Sequence, residues 1–321
     1  MRVGLLGLGH LGKIHFKCLQ KTDFDLVGIY DPAYLPTAEV ADYNGIRLYN
    51  NSEDLIRNSD ACIIAANTEE HYNLAHQVLS QGKHCFVEKR VTSTLEQAKS
   101  LAVLIADQAH IVTQVGFVER YNPAYKYLID YVQEPKFIEV HRLSQFNNRG
   151  NDVSVVFDLM IHDLDLLLTM KKSPIVDIRA TGVKVITDSL DICNCRLEFE
   201  DGCVANITAS RMSLKVMRKF RIFRENAYLS MDLHKKEGQI ISLSDTEVPN
   251  ALQLDVGDKK KHIVIKSSGS LEGNAILDEL NDFYESIKNN KQSKANLASA
   301  IETTKLAKRI EELALETTVI S

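Results

Sequence analysis

Over the first 115 residues, short apolar runs alternate with longer windows in which apolar positions recur every three to four residues. The runs 3–6, 26–30, 61–65, 85–87 and 111–115 read as short β-type runs, and the windows 11–20, 37–43, 70–80 and 95–109 have the spacing of amphipathic helices. Strand–helix alternation of this kind predicts a doubly wound parallel sheet. The pattern breaks after Gly116 with "FVERYNPAY", read as a hinge and helix, followed by a strand near 137–143 and a polar loop, "NNRGND". A helix is predicted over 157–168. From 175 to about 231, alternating runs joined by "TDS" and "EDG" predict an open, mainly antiparallel sheet, and helical windows at 275–288 and 295–315 close the chain. The fold class expected is α/β: an N-terminal Rossmann-type doubly wound sheet over 1–118, and a C-terminal α+β domain with a large antiparallel sheet over 119–321.

The helix at 157–168, "FDLMIHDLDLLL", carries four ionisable groups in an otherwise apolar segment. At 100° per residue Asp158, His162 and Asp165 share one face and Asp163 falls to the side. Burying such groups costs free energy unless they are paired or employed in chemistry. Asp and His at i, i+4 could ligate zinc, but no further ligand set accompanies them and no metal is expected.

Composition narrows the function classes. A net charge of -5 with dispersed Lys and Arg gives no basic field for nucleic acid or an anionic membrane. Six cysteines scattered among apolar neighbours read as reduced core thiols, not a disulfide framework. The apolar start "MRVGLLGLGHLG" is too short and too interrupted by glycine for a signal peptide, and no apolar stretch reaches transmembrane length; a cytoplasmic location is the expectation.

"GLGHLG" supplies Gly7, Gly9 and Gly12 as G-x-G-x-x-G directly after the strand "RVGLL" and at the opening of a helix. Alone the motif is weak, and glycines that merely turn the chain compete with it. Its context strengthens it, because the acidic Asp31 ends the next strand nineteen residues after Gly12. In a dinucleotide site Gly7 permits the tight turn, Gly9 admits a pyrophosphate, and Gly12 allows close helix–strand packing. The N–H groups of His10 and Leu11 meet the anion, and the His10 side chain has no chemical part. Asp31 accepts from ribose hydroxyls and repels a 2′-phosphate, so NAD is preferred over NADP.

The strand at 85–87 runs into "CFVEKR", which places Glu88 and Lys89 at the carboxyl edge of the sheet, where open α/β sheets bind ligands. A lysine there can orient a substrate hydroxyl or stabilise an alkoxide; standing alone, the Glu-Lys pair reads equally as a solvated strand end. With "GLGHLG", Asp31, "DACIIAANTEEHYNLAHQVLSQGKHCFVEK", "VGFVERYNPAY" and "DLMIHDLD" in order and spacing, the chain resembles the Gfo/Idh/MocA oxidoreductases over nearly its whole length. The resemblance implies a cofactor crevice lined around Asn67 and His71, and a substrate-contacting lysine in an E-K-P motif. Glu88 and Lys89 match that motif, and Arg90 stands in place of its proline. The family's D-x-x-x-H motif falls on Asp158 and His162, implying His162 as the acid/base and Asp158 as the group that orients it. Histidine also has the unperturbed pKa suited to taking a hydroxyl proton near neutrality.

For the substrate, Arg120, Tyr121, Asn122, Asn148 and Arg149 are candidates from the connecting segments. The stretch "EVHRLSQFNNRGNDVSVVFDLMIHDLDLLL" is similar to a branch of the family acting on the 3-hydroxyl of UDP-N-acetylglucosamine, with Arg142, Phe146, Arg149 and Asp152 recurring. A diphosphate would give the Arg149 guanidinium a purpose. A dehydrogenase of a free sugar or inositol, an enzyme that keeps its NAD through hydride removal and return, and a non-enzymatic NAD sensor are the competing functions. Members of the family self-associate through the second sheet, which implies a homodimer or homotetramer.

Overall fold

The fold is a computed structural model that describes residues 1–37, 41–147, 153–249, 251–257 and 259–317. It comprises two compact units, one formed by Met1–Tyr121 with Asn274–Thr304 and the other by Asn122–Gly273 with Lys305–Ser321. The stretch read from sequence as 119–321 thus contributes Asn274–Thr304 to the first unit.

The first unit is built on five parallel strands, β1 (Arg2–Leu6), β2 (Asp25–Tyr30), β3 (Ala61–Ile64), β4 (His84–Val87) and β5 (Thr113–Val115), in the order β2-β1-β3-β4-β5. Between them run helices α1 (His10–Leu19), α2 (Ser52–Arg57), α3 (Thr68–Ser80) and α4 (Leu95–Leu104). The sheet reverses direction of growth between β1 and β3, the crevice position at which doubly wound folds bind nucleotides. Val3, Leu5, Ile29, Ile63 and Phe86 form its core, and helix α7 (Ala275–Lys288) completes it by burying Leu280 and Phe283 among them.

Two expectations are corrected in this unit. The window 37–43 is not a helix: Asp42–Tyr43 pairs with Ile46–Arg47 across Asn44-Gly45, both at positive φ, and 38–40 lie outside the described residues. Asn-Gly is a strong two-residue hairpin signal, and it prevails over the helical spacing before it. The helix between β2 and β3 is instead α2, started by Asn51, whose side chain accepts from the Asp54 N–H. The window 95–109 ends as a helix at Leu104, where the chain passes into turns.

The second unit begins with α5 (Pro123–Leu128) and contains a nine-stranded sheet. Its strands are β6 (Phe137–Leu143), β7 (Ile175–Val183), β8 (Ile192–Phe199), β9 (Val204–Ser210), β10 (Met217–Arg224), β11 (Ala227–Asp232), β12 (Glu237–Ser244), β13 (Leu252–Val256) and β14 (Lys259–Ser270). The order is β13-β14-β12-β11-β10-β6-β9-β8-β7, with β6 and β9 parallel and every other pair antiparallel. The meander therefore continues well past 231, through a stretch whose charged residues hide its alternation. On β8 and β9, Cys193, Cys195, Leu197, Ala205 and Ile207 are buried and alternate with Asn194, Arg196 and Asn206 on the face that is less covered. The covering element runs from a π-helical turn, Val156–Met160, into α6 (Ile161–Met170); the Met160 sulfur lies 3.9 Å from that of Cys195. Helix α8 (Leu297–Glu316) gives its first turns to the first unit and the rest to the second. All six cysteines are free and buried. Among the described residues no helix is long and apolar enough to cross a membrane.

Candidate active site

The turn after β1 has the geometry that dinucleotide binding requires. Gly7 has φ +102°, and a Cβ on it would meet the Ala66 nitrogen at 2.6 Å; a Cβ on Gly12 would meet the Gly7 carbonyl oxygen at 2.2 Å. Only glycine fits at either position. A Cβ on Gly9, by contrast, would find nothing within 4 Å, so the backbone there is open to approach. Gly9 caps α1 with no side-chain hydrogen bond, which leaves the first N–H groups of the helix, at His10 and Leu11, available to an anion. Asp31 ties this turn to the end of β2: its Oδ2 accepts from the Leu8 N–H at 2.6 Å and its Oδ1 from the Ala33 N–H at 2.8 Å. A carboxylate has about four acceptor sites, so both oxygens retain capacity for ribose hydroxyls. The nearby Lys13 ammonium donates to the Tyr34 hydroxyl at 2.9 Å. These residues fit an NAD adenosine and pyrophosphate.

At the carboxyl edge of β4, Glu88 is buried and Lys89 half-buried, and the Lys89–Arg90 peptide is cis. His15, on the buried face of α1, lies with Nε2 2.6 Å from Glu88 Oε1 and its ring edge-on to Phe86. Sequence reasoning missed His15. Its signal was a histidine among Gly12, Phe16 and Leu19 on the inward face of an otherwise apolar helix. Asn67 is exposed and caps α3 without using its side chain, and His71 in the first turn of α3 is buried. Both His71 nitrogens face backbone carbonyls, Nδ1 at 2.6 Å from Arg90 O and Nε2 at 3.0 Å from Ala66 O. Burial holds its pKa below the usual histidine value, against the pull of these two carbonyls.

The residues of the connecting segment have polar groups engaged by the protein itself. The Arg120 guanidinium donates to the Lys294 carbonyl and, at 3.3 Å, to the Ser299 hydroxyl. The buried Tyr121 hydroxyl donates to Asp282 Oδ2 at 2.8 Å, and burial first, then the carboxylates of Asp282 and Glu279, push its pKa up. Asn122 starts α5, accepting from the Ala124 N–H at 3.1 Å and donating to the Leu233 carbonyl at 2.9 Å.

On the second unit, Asp158 lies in the π-helical turn and His162 in the first turn of α6, both half-buried. Such turns recur at functional sites because they re-aim side chains within a helix. Asp163 and Asp165 are each 1% exposed. Asp163 is spent on a two-pronged ion pair with Arg142 of β6, Nε to Oδ2 and Nη2 to Oδ1 both at 2.8 Å. This pair fastens α6 to the sheet and leaves Asp158 and His162 as the half-buried ionisable groups of the segment. Asn148, Arg149 and Asp152 lie outside the described residues.

The model of an oxidoreductase family with an NAD-binding Rossmann fold, GFO_IDH_MocA, matches residues 1–117, and that of the GFO/IDH/MocA C-terminal domain matches residues 130–230. UDP-N-acetylglucosamine 3-dehydrogenase from Acidithiobacillus ferrooxidans is 36% identical over 233 residues, 72% of this chain and 74% of its own length. A solved structure of that enzyme superposes with a TM-score of 0.88 at 29% identity, covering 99% of this chain and 98% of its own. The scyllo-inositol 2-dehydrogenase (NAD(+)) of Bacillus subtilis is 26% identical over 66% of this chain and 68% of its own length. A scyllo-inositol dehydrogenase from Lactobacillus casei, solved with NAD(H) and scyllo-inositol, has the same fold, with a TM-score of 0.75 at 20% identity over 100% of this chain and 98% of its own. The chain belongs to the GFO/IDH/MocA family and is an NAD(P)-dependent oxidoreductase acting on CH–OH donors.

Proposed function

We propose that the protein oxidises the 3-hydroxyl of UDP-N-acetylglucosamine, with NAD preferred over NADP as hydride acceptor. The observation that carries this reading is the 36% identity, over 72% of this chain, to a UDP-N-acetylglucosamine 3-dehydrogenase. Bound in the first unit, NAD supplies the electrophilic ring carbon that takes a hydride. The Gly7–Gly12 turn and the first N–H groups of α1 hold its pyrophosphate, and Asp31 accepts from its ribose hydroxyls and disfavours a 2′-phosphate. Asn67 and His71 belong to the α3 start that borders the cofactor.

His162 takes the hydroxyl proton on a ring nitrogen as the C–H bond breaks. Asp158, four residues earlier, selects the tautomer and steadies the imidazolium. The Lys89 ammonium stabilises the negative charge that develops on the hydroxyl oxygen as the proton and the hydride leave. Arg149 serves the diphosphate of the substrate, for which a guanidinium has the matching fork of donors. The exposed face of the nine-stranded sheet supports assembly into a homodimer or homotetramer.

The test is turnover with defined pairs of substrate and cofactor. UDP-N-acetylglucosamine with NAD is expected to yield NADH and a 3-keto product, at a kcat/KM at least about tenfold above that with NADP, the size of one lost charge-assisted contact. Absence of turnover on the nucleotide sugar beside turnover of a free sugar or an inositol rejects the substrate. NAD that co-purifies with the protein, with a modified sugar formed and no net NADH, assigns a hydride-return reaction instead.

A further inference from the structure

Lys89 lies two residues past the end of β4, outside any helix or strand, yet both of its chain neighbours are held by a buried histidine. On one side His15, 0% exposed, has Nε2 2.6 Å from Glu88 Oε1, while Glu88 Oε2 accepts from the Lys89 backbone N–H at 3.2 Å. On the other side His71, 1% exposed, stands between two backbone carbonyls, with Nδ1 2.6 Å from Arg90 O and Nε2 3.0 Å from Ala66 O. Gly116 closes the remaining space around Glu88, since a Cβ there would fall 2.5 Å from Glu88 Oε2.

We infer that His15 and His71 are positioning residues that clamp Glu88–Lys89–Arg90 from both sides and so fix the Lys89 amine for the substrate. The inference rests on the reading of Lys89 as the group that stabilises the charge developing on the hydroxyl oxygen. Replacing both partners of a buried hydrogen bond with apolar groups of the same shape is often nearly neutral for stability, so holding the fold does not by itself require His15 and Glu88. The geometry does serve placement: His15 meets Glu88, Glu88 takes the Lys89 N–H, and His71 meets the Arg90 carbonyl, so each chain neighbour of Lys89 is held. His15 also sits on α1, the helix whose first turn meets the cofactor pyrophosphate in that reading. The clamp therefore ties the cofactor helix to the substrate amine.

A double-mutant cycle on the full chain separates placement from folding. With UDP-N-acetylglucosamine and NAD, His15→Leu is expected to lower kcat about 10- to 100-fold, the scale set by a misplacement near 1 Å. His15→Gln, whose amide can occupy the Nε2 position and donate to Glu88, is expected to return kcat to within about threefold of the parent. In a Lys89→Ala background the same His15→Leu change should alter the residual rate by less than about twofold, because the group it positions is gone. A readout without cofactor or substrate accompanies these rates. With lysines reductively methylated using 13C, the Lys89 methyl resonance, identified by its loss in Lys89→Arg, should move towards the free-lysine position in His15→Leu and return in His15→Gln. If His15→Leu does not fold, Gly116→Ala and Glu88→Gln enter the same cycle with the same expectations.

Equal factors in the two backgrounds, or an unmoved Lys89 resonance in a folded His15→Leu protein, would overturn the clamp alone. Lys89→Ala turning over at the parent rate would overturn the role of the amine, and the clamp with it.

Discussion

His162→Ala lowers kcat by about 10²- to 10⁴-fold, the range that a positioned general acid/base contributes, and leaves the KM for NAD nearly unchanged. The size follows from the chemistry: an unactivated secondary hydroxyl keeps its proton at neutral pH, and the hydride does not leave until that proton is shared with a base. His162 is half-buried on α6 while its neighbours Ile161, Asp163 and Leu164 carry the packing, so truncation should spare the fold. Steady-state NADH formation with a parallel melting curve checks this. A folded variant that keeps kcat within about threefold would remove His162 from the acid/base role, since that loss is smaller than a general base accounts for. Asp158→Asn is expected to cost less, because it disturbs the tautomer and orientation of the imidazole without removing it.

The second large effect concerns stability. Arg142 and Asp163 are 3% and 1% exposed and meet through two parallel hydrogen bonds. Removing one partner leaves a buried charge without its counter-ion, and Arg142→Met or Asp163→Leu alone should cost about 3–5 kcal/mol. That corresponds to a fall in melting temperature on the order of 10 °C for a unit of this size. The double variant Arg142→Met/Asp163→Leu should recover most of the loss, since a well-packed apolar pair at such depth is often neutral or better. Calorimetry on the three proteins decides it. Single variants that melt with the parent would show that the pair does not hold α6 to the sheet.

How much of this was legible in the sequence follows from which interactions are local. The five parallel strands were readable because strands buried on both faces must be apolar along their length, and the phosphate turn because Gly7 and Gly12 admit no side chain. The helix 275–288 was readable from its spacing, but not its destination. That its Leu280 and Phe283 fill the core beneath β1 and β4 is a contact across most of the chain length, which no window of residues contains. The last strands of the second sheet were hidden because β14 begins "KKKH" and ends "KSSGS", so its pairing partners, and not its own alternation, define it.

The site shows the same division. Lys89, Asp158 and His162 could be singled out because an amine at a strand end and an i, i+4 Asp–His pair are local patterns. Which of the four ionisable groups in the 157–168 segment was spent on structure could not be read, because Arg142, which takes Asp163, comes from a strand twenty-one residues earlier. His15 and His71 are a different case. Each shares its helix with a second histidine, His10 on α1 and His76 on α3, and only contacts distant in sequence, to Glu88 and to the Arg90 carbonyl, set them apart.

In the proposed reaction a hydride leaves C3 of the sugar for NAD. The most direct measurement uses UDP-N-acetylglucosamine deuterated at C3 and follows the mass of the reduced cofactor. NADH carrying one deuterium, formed together with a 3-keto nucleotide sugar, is the predicted result. Reduced cofactor that forms without the label, or a labelled substrate returned unchanged while an inositol is oxidised, would contradict it.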